Sequence, residues 1–545
     1  MRRWWTGGLA GVVLAATVLT GAAPAVADDG LATGARSRYV LDAEATTVDA
    51  TVTLDLRNIT TDPGTGGYSY YDGYAVPVPA GAEDVRATSG GAPLRVALDA
   101  TDDPSTRLAR ISFPQLRSGR STEVELTFRV PGEKPRSPDS TRVGQGYATF
   151  AVYGVGDPGR NVVEVVAPAS MTFDSTSDGF TPDQDGDAVT YRAEGSDGFW
   201  AVVSLRDPDA SEERTVDAGG TSFVLAGFKD DPEWADFVAD RLATGIPVLE
   251  RLVGTPWPGG LERVREDASP SLFGYDGWFD PTDDEIVVGE RLDDDLILHE
   301  LSHAWVAGER FDERWVYEGL AQLLADRAVR ETGGTPSGQT AVSRGDAGAI
   351  ALNAWDGSAS TRSAAVDGYA YPAALTATSA LIGDLDDDTL AAVLSSAIAG
   401  ERAYDPAGTS SPDGGRTSWS RWLDLVEERG GVEDAAAVFQ RWVLTPEQSA
   451  LLAPRQQSRE AYARVDDADG EWVPPEGLRD AMTVWDFARA DHVIAEVQEL
   501  GSSARRVQAA AEASDQQVPA VVRSSYEEAA QDEEYAALAT TLPRA

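Results

Sequence analysis

In the N-terminal part of the chain, apolar and polar positions alternate. Val48, Ala50, Val52, Leu54 and Leu56 interleave with Asp49, Thr51, Thr53 and Asp55; Val124, Leu126, Phe128 and Val130 interleave with Glu125, Thr127 and Arg129. A period of two puts each apolar set on one face, so both runs predict strands with a single buried face. Residues 162–166 and 199–205 add more continuous apolar runs, and turn-forming stretches such as Asp62-Pro63-Gly64 and Ser89-Gly90-Gly91 stand between. A β-sandwich-like domain to about Arg206 is expected, with the polar stretch 207–214 as its boundary.

The period then changes. Trp234, Phe237, Val238 and Leu242 follow helical spacing behind Asp231-Pro232, a helix start. Residues 256–260, rich in Pro and Gly, break the chain, and 285–288 reads as a short strand. From Asp293 to Ile398 nearly every segment reads helical. Beyond the loop 406–415, Trp419, Trp422, Leu423, Leu425 and Val426 lie on one helical face. The expected fold is multidomain α+β, with a β-sandwich-like domain over 30–210, a mostly helical domain over 211–400 and a helical C-terminal domain over 401–545.

Composition narrows the function classes. A chain of 545 residues exceeds one hydrophobic core, and 42 % apolar against 25 % charged residues is the balance of a folded protein. Asp and Glu number 90 against 45 Lys and Arg, a net charge of −45. Such a surface repels phosphate backbones and anionic bilayers, so nucleic acid is not an expected partner. Cysteine is absent, which removes thiol nucleophiles, disulfides and Cys-ligated metal. Arg2 and Arg3, the apolar stretch 9–19 and Ala25-Val26-Ala27 have the order of a secretory signal peptide over residues 1–27. The expected product is a secreted or cell-surface-associated chain without a membrane span.

The chain has three histidines, and two of them fall in His299-Glu300-Leu301-Ser302-His303. Histidines four apart share one helix face, so both imidazoles can reach one metal ion. Glu300, beside them, suits a general base acting on water. A third ligand is required, and no histidine follows at the spacing of a three-His site. Glu318, expected to open a helix running to Asp326, completes a two-His, one-Glu set; Glu309 and Glu313 compete on spacing but fall in a polar turn. Asp326 is a candidate for orienting a ligand histidine. His492 reads as a surface residue, Asp183-Gln184-Asp185-Gly186-Asp187 as a β-turn rather than a calcium loop, and Trp419, Trp422, Trp442 and Trp485 as packing residues.

His-Glu-x-x-His followed by Trp315-x-x-Glu318-Gly319-x-Ala321 resembles the gluzincin zinc metallopeptidases, in particular the aminopeptidase N and glycyl-aminopeptidase-like branch. The resemblance implies a thermolysin-like catalytic domain, one zinc ion held by His299, His303 and Glu318, Glu300 activating water, and a peptide or protein substrate. It also implies a tyrosine that stabilises the oxyanion: Tyr371, with Pro372 as the first residue of a helix, or Tyr369 nearby. It further implies substrate held along the edge of the strand at 285–288. Two features depart from the family. The ligand spacing is shorter, and no glutamate stands at 271–279, where the family binds a substrate amine; only Asp276 is near that position. End-trimming and internal cleavage therefore both stay open. The alternative class is a non-enzymatic surface binding protein with a structural metal site.

Overall fold

The computed structural model describes residues 30–62, 66–137, 141–195, 198–269, 277–280, 285–338, 340–356, 363–409 and 415–544, at 278–280 by their backbone. The expected signal peptide, the turn at Pro63-Gly64 and Asp276 lie outside them. By their contacts the described residues fall into two units: one of 30–243 with 260–297, the other of 244–259 with 298–544.

The first unit is built on strands. Leu31–Asp42, Thr47–Asn58 and Ser121–Pro131 pair antiparallel near the middle of a ten-stranded sheet. The alternation in sequence is the alternation in burial: Val48, Ala50, Val52, Leu54 and Leu56 are buried on one strand, and Val124, Leu126, Phe128 and Val130 on its neighbour. A four-stranded sheet contributes Phe150, Val152, Ala201, Val203 and Leu205 to the same apolar core. Tyr39 lies at the join, its ring 6.4 Å from Phe128 and 6.3 Å from Phe150, and its hydroxyl accepts from the Tyr153 amide at 3.0 Å. Of Asp183–Asp187, read as a β-turn, Gly186-Asp187 is the hairpin turn, with Gly186 at φ 63°, while Asp183–Asp185 belong to the strand Thr181–Asp185 that pairs with Ala188–Glu194.

A separate five-stranded sheet begins at Glu212–Ala218 and contains Glu285–Gly289. That strand is not an edge. It pairs parallel with Arg263–Asp267 on one side and antiparallel with Gly277–Asp280 on the other, so its backbone groups already belong to two ladders. Strand addition along it, as the family resemblance implied, is excluded; Gly277–Asp280 is the outer strand.

Helix α1 (Pro232–Val253) starts as the Asp-Pro signal predicts, with Asp231 accepting from the Trp234 amide at 3.2 Å. Helices α2 (Asp294–Ser302), α3 (Arg314–Glu331), α4 (Ala364–Ile382) and α5 (Asp387–Ile398) follow. The expectation of near-continuous helix to Ile398 is too strong: between α3 and α4 the described residues hold only the short 3₁₀ turn Leu352–Ala354. From α6 (Trp419–Glu428) the chain is helical again. Trp422 and Trp442 are buried as read, whereas Trp419 and Trp485 are half-buried and stack edge-on with centroids 5.1 Å apart. Among the described residues no helix is long and apolar enough to cross a membrane.

Candidate metal centre

Helix α2 begins on Asp293, whose carboxylate accepts from the Asp295 amide at 3.0 Å, and acids fill its first turn. Leu296, Ile297, Leu298 and Leu301 are all buried, which draws the whole helix inside. It ends one residue before the second histidine. The His303, Ala304 and Trp305 amides each bond to the carbonyl three residues back, so the last turn tightens to 3₁₀ geometry. The imidazoles still converge: His299 Nε2 lies 3.1 Å from His303 Nε2.

Glu318 comes from α3. That helix starts at Arg314, four residues earlier than expected, and runs on to Glu331, so Glu318 sits in its interior rather than at its mouth. Its Oε2 is 3.6 Å from His299 Nε2 and 3.8 Å from His303 Nε2. Exposure is 1 % for His299, 0 % for Glu300, 1 % for His303 and 2 % for Glu318. The rivals are placed otherwise: Glu309 is exposed, and Glu313 stands at the position just before α3, its side chain making no capping bond.

Whether this set fits a metal ion depends on where the ring protons are. His303 Nδ1 is 2.8 Å from the Val306 carbonyl oxygen, an acceptor only, so Nδ1 carries the proton. His299 Nδ1 is 3.1 Å from Gln322 Oε1, and the other end of that amide donates to Asp326 Oδ1 at 2.9 Å, which fixes its orientation. Both Nε2 atoms therefore present lone pairs to each other across 3.1 Å. Neither Glu318 oxygen has a hydrogen-bond partner, although both are buried. Three electron-rich atoms thus converge without a proton to share, and His299, His303 and Glu318 offer ligand atoms all within 4.8 Å of one another. Tetrahedral zinc at its usual ligand distances of about 2.0–2.1 Å separates its donors by about 3.3 Å. The residues fit such an ion.

The local field agrees. Burial, then His299, pushes the His303 imidazole down to about 4, keeping it neutral. Burial raises the Glu318 carboxyl, while the Arg314 guanidinium beside it acts the other way, and the group is held below the usual carboxylate range.

Sequence reasoning missed two neighbours. Gln322 lies one turn after Glu318 and holds His299; Asp326, the candidate orienter, in turn accepts from the Gln322 amide. Arg314 lies one turn before Glu318, its Nε 3.6 Å from Glu318 Oε1 and its Nη2 donating to the Tyr371 hydroxyl at 2.6 Å. A polar residue at four-residue spacing on either side of a ligand was the available signal.

Tyr371 is not at a helix mouth. Ser363 caps α4 by accepting from the Val366 amide, and Pro372 lies inside the helix. Tyr371 is half-buried with its hydroxyl on Arg314; Tyr369, two residues back and on the opposite face, is buried. His492 is at the surface, 3.3 Å from both carboxylate oxygens of Asp532.

No family model and no curated protein matches this sequence. Among solved structures, the chain is similar to the M1 zinc metallopeptidase of Deinococcus radiodurans, with 17 % identity, 77 % of this chain and 96 % of that one covered, and a TM-score of 0.30. A mutant of that enzyme bound to a Tyr-Ser-Ala substrate matches with 17 % identity over the same shares and a TM-score of 0.32. Leukotriene A4 hydrolase from Saccharomyces cerevisiae matches with 11 % identity, 81 % of this chain and 72 % of that one covered, and a TM-score of 0.32.

Proposed function

We propose that this chain is a secreted zinc-dependent metallopeptidase, with one zinc ion held by His299, His303 and Glu318. The carrying observation is the convergence of two proton-free Nε2 atoms and a buried carboxylate without hydrogen bonds. In this reading residues 1–27 are a removed leader, 211–400 form a thermolysin-like catalytic domain, and the domains 30–210 and 401–545 flank it. When bound, zinc supplies a Lewis acid and lowers the pKa of water to about 7.

The chain's own residues do the rest. Glu300, fully buried on the same helix as His299, takes a proton from the attacking water and returns it to the leaving amine. Gln322 and the Val306 carbonyl hold the two imidazoles in the tautomer that leaves Nε2 bare. Tyr371 donates a hydrogen bond to the developing oxyanion. No glutamate at 271–279 is present to grip an amine, so both ends and interiors of peptides are candidate cleavage sites.

A mixed peptide pool incubated with zinc-loaded protein tests this reading, with products followed by mass spectrometry. The native protein is expected to cleave, and Glu300→Gln to lose about 10²-fold or more in kcat while keeping its zinc. Zinc binding with no cleavage of any peptide would instead favour a binding protein with a structural site.

A further inference from the structure

Arg314 is the first residue of α3. A cation there opposes the helix dipole, so helix stability does not explain it. Its surroundings are specific. The guanidinium carbon lies 4.3 Å from the centroid of the Trp355 ring and 5.3 Å from that of Tyr371. Nη1 is 3.9 Å from Asp367 Oδ1, which also accepts from Trp355 Nε1 at 3.0 Å.

The two oxygens of Glu318 face different partners. Oε2 faces the imidazoles, and Oε1 faces Arg314 Nε at 3.6 Å. From its far end the same guanidinium donates to the Tyr371 hydroxyl at 2.6 Å. Arginine has no acceptor, so the phenol oxygen accepts in this bond and its proton points elsewhere. Accepting a hydrogen bond from a cation polarises the phenol and strengthens it as a donor. One planar group thus spans the third ligand and the proposed oxyanion donor, and a lysine ammonium lacks the fork to do both.

We propose that Arg314 is a positioning residue: it holds Glu318 so that only Oε2 reaches the metal, and it fixes Tyr371 as a hydrogen-bond donor. This rests on the zinc-peptidase reading above. The test uses the full-length protein and zinc itself as probe. Chelator competition measures zinc affinity for native protein, Arg314→Met, Arg314→Lys and Tyr371→Phe; kcat and KM are then measured with zinc saturating, including for the Arg314→Met/Tyr371→Phe double variant.

Zinc affinity is expected to fall about 10–100-fold in Arg314→Met and to stay at the native level in Tyr371→Phe. With zinc saturating, kcat should fall in Arg314→Met with KM little changed, and the double variant should lose no more kcat than Tyr371→Phe alone. Arg314→Lys should recover part of the zinc affinity but not kcat. Native zinc affinity in both Arg314 variants would overturn the Glu318 arm; additive kcat losses would overturn the Tyr371 arm. If Arg314→Met does not fold, Arg314→Lys decides: native kcat in that variant overturns the proposal. A native protein that binds no zinc refutes the metallopeptidase reading itself, a result separate from either arm.

Discussion

Gln322 holds the His299 ring through Nδ1 at 3.1 Å and is itself anchored on Asp326. Gln322→Leu is therefore expected to keep the fold and to weaken zinc binding about 10–100-fold, measured by chelator competition. An unchanged affinity would mean that packing alone sets the His299 ring. The His-Glu-x-x-His spacing was legible because four residues make one helical turn whatever the surroundings. Gln322 was not, because an amide on a helix face has no chemical mark until its partner is known. Glu318 was legible as a ligand candidate but not its depth in the helix, because Arg314 as a first residue carries no start signal.

Between helices, contact depends on a glycine. A Cβ on Gly319 would meet Thr378 Oγ1 at 2.3 Å and the Ala374 carbonyl oxygen at 2.9 Å, so α3 and α4 approach closely beside Glu318. Gly319→Ala is expected to destabilise by about 1–3 kcal/mol, read as a lowered Tm, and to lower zinc affinity by pushing α3 aside. An unchanged Tm would show that the helices have slack. The strands were the most legible elements, since one buried face imposes a strict period. Glu285–Gly289 was recognised as a strand but misjudged as an edge, because pairing partners are set by distant residues that the local pattern does not contain. The α4 boundary was misread because Pro372 looks like a first residue, yet the helix is already capped at Ser363.

For the whole molecule, charge governs the response to pH. Asp469 is buried with the Tyr526 hydroxyl donating to it at 2.7 Å; burial raises its carboxyl to about 7, against the lowering effect of that hydrogen bond. A folded pKa above the unfolded value of about 3.9 gives stability that is fully present below pH 4 and lost as pH rises to 7. Denaturation of Asp469→Asn across that window should lack this decline and run parallel to native protein above pH 7. Identical curves would contradict a buried neutral Asp469. The net charge of −45 adds self-repulsion as carboxylates ionise, so salt is expected to raise Tm at neutral pH.

Anomalous X-ray diffraction at the zinc edge, on crystals grown with zinc, locates the metal itself. One peak per chain is expected, within bonding distance of His299 Nε2, His303 Nε2 and Glu318 Oε2. A peak at other side chains, or an ordered site without one, would contradict it.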